Sequence, residues 1–114
     1  MKYFNTSEFS DFSKMDPEFI EFLDDLRESF GKPIKLNSTY RNPNHNEKVG
    51  GVSKSAHTEI PCRAADIHCG SSGDRLRLVQ LALRMGCKRI GVGSNFVHID
   101  FSTEKPENVM WTYY

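Results

Sequence analysis

The strongest constraint on the fold is an amphipathic helix that the sequence marks at both ends. Asp16 is a favourable N-cap, Pro17 suits the first helical turn, and Gly31 can end the helix in a left-handed conformation. Between them, the apolar side chains recur with the helical period at Phe19, Phe22, Leu23, Leu26 and Phe30. A helix with one apolar stripe has to bury it, so the rest of the chain must supply a packing layer.

That layer is predicted to be a small sheet. Alternating or short apolar runs predict strands at 34–38, 64–68, 88–92 and 96–101, and the aromatic tail at 109–114 is a further strand or a patch that closes the core. A second helix is predicted from its capping segment 71–74 to Gly86. This order predicts an α+β fold with a small, mainly antiparallel sheet and packed helices. With 114 residues, we expect one domain spanning 1–114.

Charge and hydropathy exclude several classes of partner. Fifteen acidic and fifteen basic residues give a formal net charge of zero, which argues against binding to nucleic acid. No apolar run is long enough to insert into a membrane. Residues 1–10 do not resemble a secretory signal, so we expect synthesis in the cytoplasm and export only by another route. The odd number of cysteines, three, favours free thiols, and we expect a monomer.

A long polar stretch from Thr39 to Arg63 is the segment least explained by packing, and such stretches are often functional. It contains His57. Asp66 and His98 lie in predicted strands, each between small or apolar neighbours. Burying a carboxylate there is costly unless a partner such as a divalent cation compensates it. Two imidazoles and one carboxylate form a zinc ligand set that leaves a coordination position open.

Several motifs, in order along the chain, resemble zinc D-alanyl-D-alanine carboxypeptidases and L-alanyl-D-glutamate endopeptidases. The motifs are Ser38-Thr39-Tyr40-Arg41, Asn42-Pro43-Asn44-His45-Asn46, Val49-Gly50-Gly51, Ser55-Ala56-His57, Ala64-Ala65-Asp66-Ile67, Phe96-Val97-His98-Ile99-Asp100 and the end with Trp111. The resemblance covers roughly residues 15–111. It implies the hedgehog/D-Ala-D-Ala-peptidase type of fold and a bound Zn²⁺.

The resemblance also implies site residues and an activity. His57, Asp66 and His98 correspond to the zinc ligands, and Arg41 to the cation that binds the substrate's carbonyl or carboxylate group. Ser38 either orients the site or ends its strand. The implied reaction is hydrolysis of an amide bond in peptidoglycan stem peptides. A cell-wall enzyme without a signal segment would be released by another route, as phage endolysins are.

The sequence departs from the family pattern in its spacing. Eight residues separate His57 from Asp66, a longer segment than related enzymes have. A loop absorbs such an insertion at little cost, so His57 is retained as the ligand. Glu59 is the rival, since its separation from Asp66 matches the usual shorter spacing.

A second departure concerns the general base. Many members carry a carboxylate three residues before the last zinc histidine, where this chain has Asn95, which cannot accept a proton at neutral pH. Asp100, on the same strand face as His98, would activate water or orient a ligand, and Glu59 is the other possible base. The missing carboxylate also motivates an alternative function, a catalytically impaired zinc domain that binds the cell wall or serves as a structural module.

Other potential metal ligands surround Asp66. Cys62, Cys69 and His68 are close to it in sequence and could contact the metal or substitute for a ligand. They could equally be ordinary free cysteines and a surface histidine, or the two cysteines could form a disulfide. A metal-free scaffold, in which the three proposed ligands only hydrogen-bond to one another, is the third interpretation.

Overall fold

The helix predicted after Asp16 is confirmed in a computed structural model, which describes residues 1–48 and 55–113. Helix α1 spans Pro17–Phe30, and the Asp16 side chain accepts a hydrogen bond from the Phe19 amide at 3.3 Å. Gly31 ends the helix with a φ of 77°, where glycine has no steric penalty. Val49-Gly50-Gly51 of the family-like motifs and the final Tyr114 lie outside the described residues.

The other described elements are two further helices, five strands and three short 3₁₀ turns. The helices are α2 (Pro43–Lys48) and α3 (Ser72–Arg84), the strands are β1 (Leu36–Ser38), β2 (Ala64–His68), β3 (Arg89–Val92), β4 (Phe96–Asp100) and β5 (Val109–Thr112), and the turns are Thr6–Glu8, Phe12–Lys14 and Ala56–Thr58. The sheet order is β1-β2-β4-β3-β5. Every pairing is antiparallel except β3 with β5. The predicted α+β fold with a mainly antiparallel sheet is therefore confirmed.

The predicted loop at 39–63 is less irregular than its sequence indicates. It contains α2 and the turn Ala56–Thr58. A helix of six residues has too few turns to show an apolar period, so the sequence gives no periodic signal for it. The tail forms β5, whose parallel pairing with β3 could not be read from the tail's composition.

The sheet's alternation separates the core from the site. Ile67, Ile90, Val97 and Ile99 are at most 1% exposed and belong to one apolar core with Leu23, Leu26 and Leu78 of the helices. Because successive side chains on a strand point to opposite faces, the intervening residues on β2, β3 and β4 lie on the other face. They include Asp66, Arg89, Gly91, His98 and Asp100. None of the helices described is long and apolar enough to cross a bilayer.

Candidate metal centre

Three side chains that are far apart in sequence converge on the polar face of the sheet. Asp66 and His98 are direct partners in the β2–β4 register, and His57 reaches them from the 3₁₀ turn. One ligand atom from each lies within 4.8 Å of the other two. The turn is fixed by the Ser55 side chain, which accepts from the His57 amide at 3.1 Å, and by the Arg41 amide, which donates to the His57 carbonyl at 2.8 Å.

Each imidazole directs one nitrogen inward and has its other nitrogen held by an outer group. His57 Nδ1 lies 2.6 Å from the Thr39 carbonyl oxygen and therefore carries the proton, so Nε2 faces Asp66. His98 Nε2 lies 2.6 Å from an Asp100 oxygen, and its Nδ1 faces Asp66 at 2.8 Å. Outer hydrogen bonds of this kind set the tautomer and orientation of metal-binding histidines. The donor set therefore fits a divalent metal with an open coordination position.

The charges at this centre stabilise one another. Burial acts to raise the pKa of Asp66, but hydrogen bonds and charges from His57 and His98 outweigh it and leave that pKa well below its usual value. Burial acts to lower the pKa of His98, but Asp100 and Asp66 outweigh it and raise that pKa. Asp66 is therefore an ionised carboxylate at neutral pH, as a metal ligand must be.

Asp100 supports the centre from beneath. It is fully buried, and its Oδ1 accepts from Arg89 Nε at 2.7 Å and from the Ser102 amide at 3.0 Å, while Oδ2 faces His98. Both carboxylate oxygens thus have partners, an arrangement suited to orienting His98. Arg89 was not anticipated from the sequence. The available signal was an arginine that alternates with Gly91 in an otherwise apolar strand.

The other predicted acidic and polar positions do not line the cleft. The Glu59 carboxylate accepts from the Ser102 hydroxyl at 2.7 Å and does not line the cleft. The side chain whose ligand atom lies close to those of Asp66 and His98 is His57, not Glu59. Ser38 pairs with Asp66 in the β1–β2 register but is also absent from the cleft lining. Asn95 is exposed in the turn before β4 and does not line the cleft.

The remaining potential metal ligands are also separate from the described cluster. Cys62, Cys69 and Cys87 are buried free thiols, so the Cys62–Cys69 disulfide is not formed. Burial raises the pKa of the Cys62 thiol to about 11, which opposes the thiolate that metals require. His68 is exposed at the end of β2 and is not part of the cluster of His57, Asp66 and His98.

The centre opens into a cleft of about 620 Å³. Arg41 lies on its wall with Nη2 4.0 Å from Asp66 Oδ2, and its buried Nε has no hydrogen-bond partner in the part of the chain that the structure describes. A guanidinium with unused donors can hold a carboxylate or a developing oxyanion. The full lining is Arg41, Ser55, Ala56, His57, Asp66, Arg89, Phe96, His98, Asp100, Lys105, Trp111, Thr112 and Tyr113.

Residues of the tail, among them Trp111, form another wall of the cleft, and their position depends on Gly91. The Trp111 indole lies 5.5 Å from the His98 ring, centroid to centroid, and the Arg89 guanidinium lies 4.9 Å from the Trp111 ring. Gly91 pairs with both His98 and Trp111 in the sheet. A Cβ at Gly91 would lie 2.6 Å from Trp111 Nε1, so the indole reaches the centre only because that position has no side chain.

Comparison with known proteins agrees with this geometry. A family model described as Peptidase M15 matches residues 4–100, a segment that contains Arg41 and the three clustered side chains but ends before β5. No curated protein sequence matches the chain. The model covers well over half of the chain and confirms the resemblance noted in the motifs. The chain therefore belongs to the peptidase M15 family, a family of metal-dependent peptidases.

Proposed function

We propose that this protein is a zinc-dependent peptidase that hydrolyses an amide bond in peptidoglycan stem peptides, acting at the bacterial cell wall. The observation that carries the proposal is the cluster of His57, Asp66 and His98, with each histidine oriented by an outer partner, at the side of an open cleft. Zinc bound there would supply Lewis-acid polarisation of the carbonyl and a water of lowered pKa. Two imidazoles and one carboxylate suit zinc and leave a position for substrate.

The protein's own residues would bind and orient the peptide. Arg41 lines the cleft beside Asp66, where its terminal guanidinium nitrogens can reach a substrate carboxylate or carbonyl oxygen. Lys105 adds a second cation to the cleft lining. Arg89 is neutralised by Asp100, so the cleft keeps positive charge in a chain whose net charge is zero. Such a cleft favours the carboxylate-bearing peptides of the cell wall over neutral ones.

A second candidate function is a zinc domain that binds the wall peptide without cleaving it. It is favoured by one observation, the lack of a spare carboxylate to accept a proton. Among the described lining residues, the acidic ones are Asp66, within the metal cluster, and Asp100, whose oxygens are already engaged. Glu59 is directed to Ser102 instead.

The two functions are separated by combining metal analysis with digestion of muropeptides. We expect protein purified without added metal to carry about one zinc per chain, and His57→Ala and His98→Ala to lose it. His68→Ala removes an exposed histidine from the same sheet and serves as the control that retains zinc. We further expect a chelator to lower the melting temperature, because a ligand bound only to the native state stabilises it.

The peptidase proposal requires new amino termini or released D-alanine from the muropeptides. New amino termini would indicate an endopeptidase, and free D-alanine a carboxypeptidase. Full zinc occupancy without either product would refute the peptidase and support the binding module. An unchanged melting temperature in chelator, together with absent zinc, would refute the metal site itself.

A further inference from the structure

Two side chains of the cleft's aromatic wall come from the tail, beyond residue 100, where the family match ends. This wall is formed by Trp111 and Tyr113 of the tail together with Phe96. The Phe96 and Tyr113 rings are 4.9 Å apart, and the Trp111 and Tyr113 rings 6.4 Å. Two of the three side chains carry a hydrogen-bond donor, the indole N–H and the phenol O–H.

Gly91 brings both donor-bearing rings next to the metal centre. A Cβ at this glycine would lie 2.6 Å from Trp111 Nε1 and 2.6 Å from Tyr113 Cε2, so the two ring edges meet above one backbone position. Gly91 is the direct partner of His98 in the β3–β4 register. The Tyr113 amide donates to the Val92 carbonyl at 3.2 Å, which continues the β5 pairing and fixes the tyrosine on the wall.

The phenol is a neutral donor with its proton available. Tyr113 is about half exposed, and its partial burial raises the pKa of the phenol, which is therefore protonated at neutral pH. An indole N–H can only donate, so Trp111 does not accept the phenol proton. Tyr113 lines the cleft and its side chain is half exposed, so a ligand bound in the cleft can accept that proton.

We propose that Tyr113 is a catalytic residue whose phenol donates a hydrogen bond to the carbonyl oxygen of the scissile amide. The phenol keeps its proton throughout, and the hydrogen bond strengthens as water adds to the carbonyl carbon and the oxygen gains negative charge. Arg41 follows β1 and Tyr113 follows β5, which lie at opposite edges of the sheet, so the two side chains approach a bound peptide from different directions. Trp111 is a positioning residue that holds the phenol above Gly91. This inference rests on the proposed peptidase function.

The test compares Tyr113→Phe with the wild-type protein in muropeptide cleavage. The substitution removes one oxygen and keeps the ring that packs on Phe96. We expect kcat to fall about a hundredfold, as when one donor to an oxyanion is removed, with KM changed by less than about threefold. Zinc content and melting temperature should match those of the wild type. Tyr3→Phe is the matched control and should retain full activity, because the Tyr3 phenol contacts Glu28 and does not line the cleft.

The chain's single tryptophan provides a second readout, because Trp111 lies in the cleft wall. Its emission should respond equally to a bound product peptide in the wild-type protein and in Tyr113→Phe, since the proposed bond matters in the transition state. A Tyr113→Phe enzyme with wild-type kcat would overturn the inference and leave the peptidase function standing. A raised KM with unchanged kcat would also overturn it. An inactive wild-type protein would overturn both proposals.

Discussion

Replacing Asp100 with asparagine separates two roles for this carboxylate, orienting His98 and accepting a proton. In the structure the Asp100 carboxylate faces three groups, Arg89 Nε at 2.7 Å, His98 Nε2 at 2.6 Å and the Ser102 amide at 3.0 Å. An amide has one oxygen to accept with. If that oxygen stays with Arg89 and Ser102, the amide NH₂ faces His98 and requires its Nε2 to become an acceptor.

That exchange moves the imidazole proton to the nitrogen that would bind the proposed metal. His98 Nδ1 faces Asp66 at 2.8 Å, and a proton there blocks coordination. We expect the zinc affinity of Asp100→Asn to fall about 10- to 100-fold, or about 1.4–2.7 kcal/mol. The metal-free protein should also lose about 2 kcal/mol, less than the cost of breaking a buried ion pair outright, because the amide still accepts from Arg89. For a domain of this length, that loss lowers the melting temperature by about 8 °C.

Zinc affinity is measured by competition with a chromophoric chelator, and stability by thermal unfolding in excess chelator. Asp74→Asn, at a carboxylate that pairs with Lys32 and does not line the cleft, is the control and should leave zinc affinity unchanged. An Asp100→Asn protein that binds zinc as tightly as the wild type would refute the orienting role. If the same protein had also lost cleavage activity, Asp100 would instead be the proton acceptor that Asn95 does not supply.

Three further predictions follow from individual contacts. Gly91→Ala should displace Trp111, lower the free energy of unfolding by about 1–3 kcal/mol through overpacking and shift the tryptophan emission to longer wavelength. Gly73→Ala, whose added methyl meets nothing within 4 Å, is the control and should change neither quantity. An unshifted emission in Gly91→Ala would refute the close packing. Arg41→Lys keeps the charge but loses the planar fork, so kcat/KM should fall at least about tenfold with zinc content unchanged; full activity would show that a point charge suffices. At pH 8 the Cys62 thiol should be alkylated at least a hundredfold more slowly in the folded protein than in denaturant, because burial raises its pKa to about 11. The alkylation rate should rise as the pH approaches that value. Rapid labelling of the folded protein would contradict the burial of Cys62.

The sequence alone determined the two longer helices, the strands and the sheet face on which Asp66 and His98 lie. The cap at Asp16 and the stop at Gly31 are local backbone chemistry, and the helix between them was predicted with both ends correct. The alternation of strand residues placed Asp66 and His98 away from the apolar core, because the period of a strand leaves no other choice. The family match supports the metal-dependent chemistry that the motif resemblance implied.

Only the tertiary structure decided how each side chain is used. From sequence, Asp100 and Glu59 were equivalent candidates for a base, but the sheet register places Asp100 under His98 while the loop directs Glu59 to Ser102. The role of Gly91 likewise depends on the parallel pairing of β5, which brings Trp111 across it. Strand periodicity fixes which face a residue occupies, whereas its neighbours on that face depend on contacts between distant segments, and those exist only once the sheet has formed.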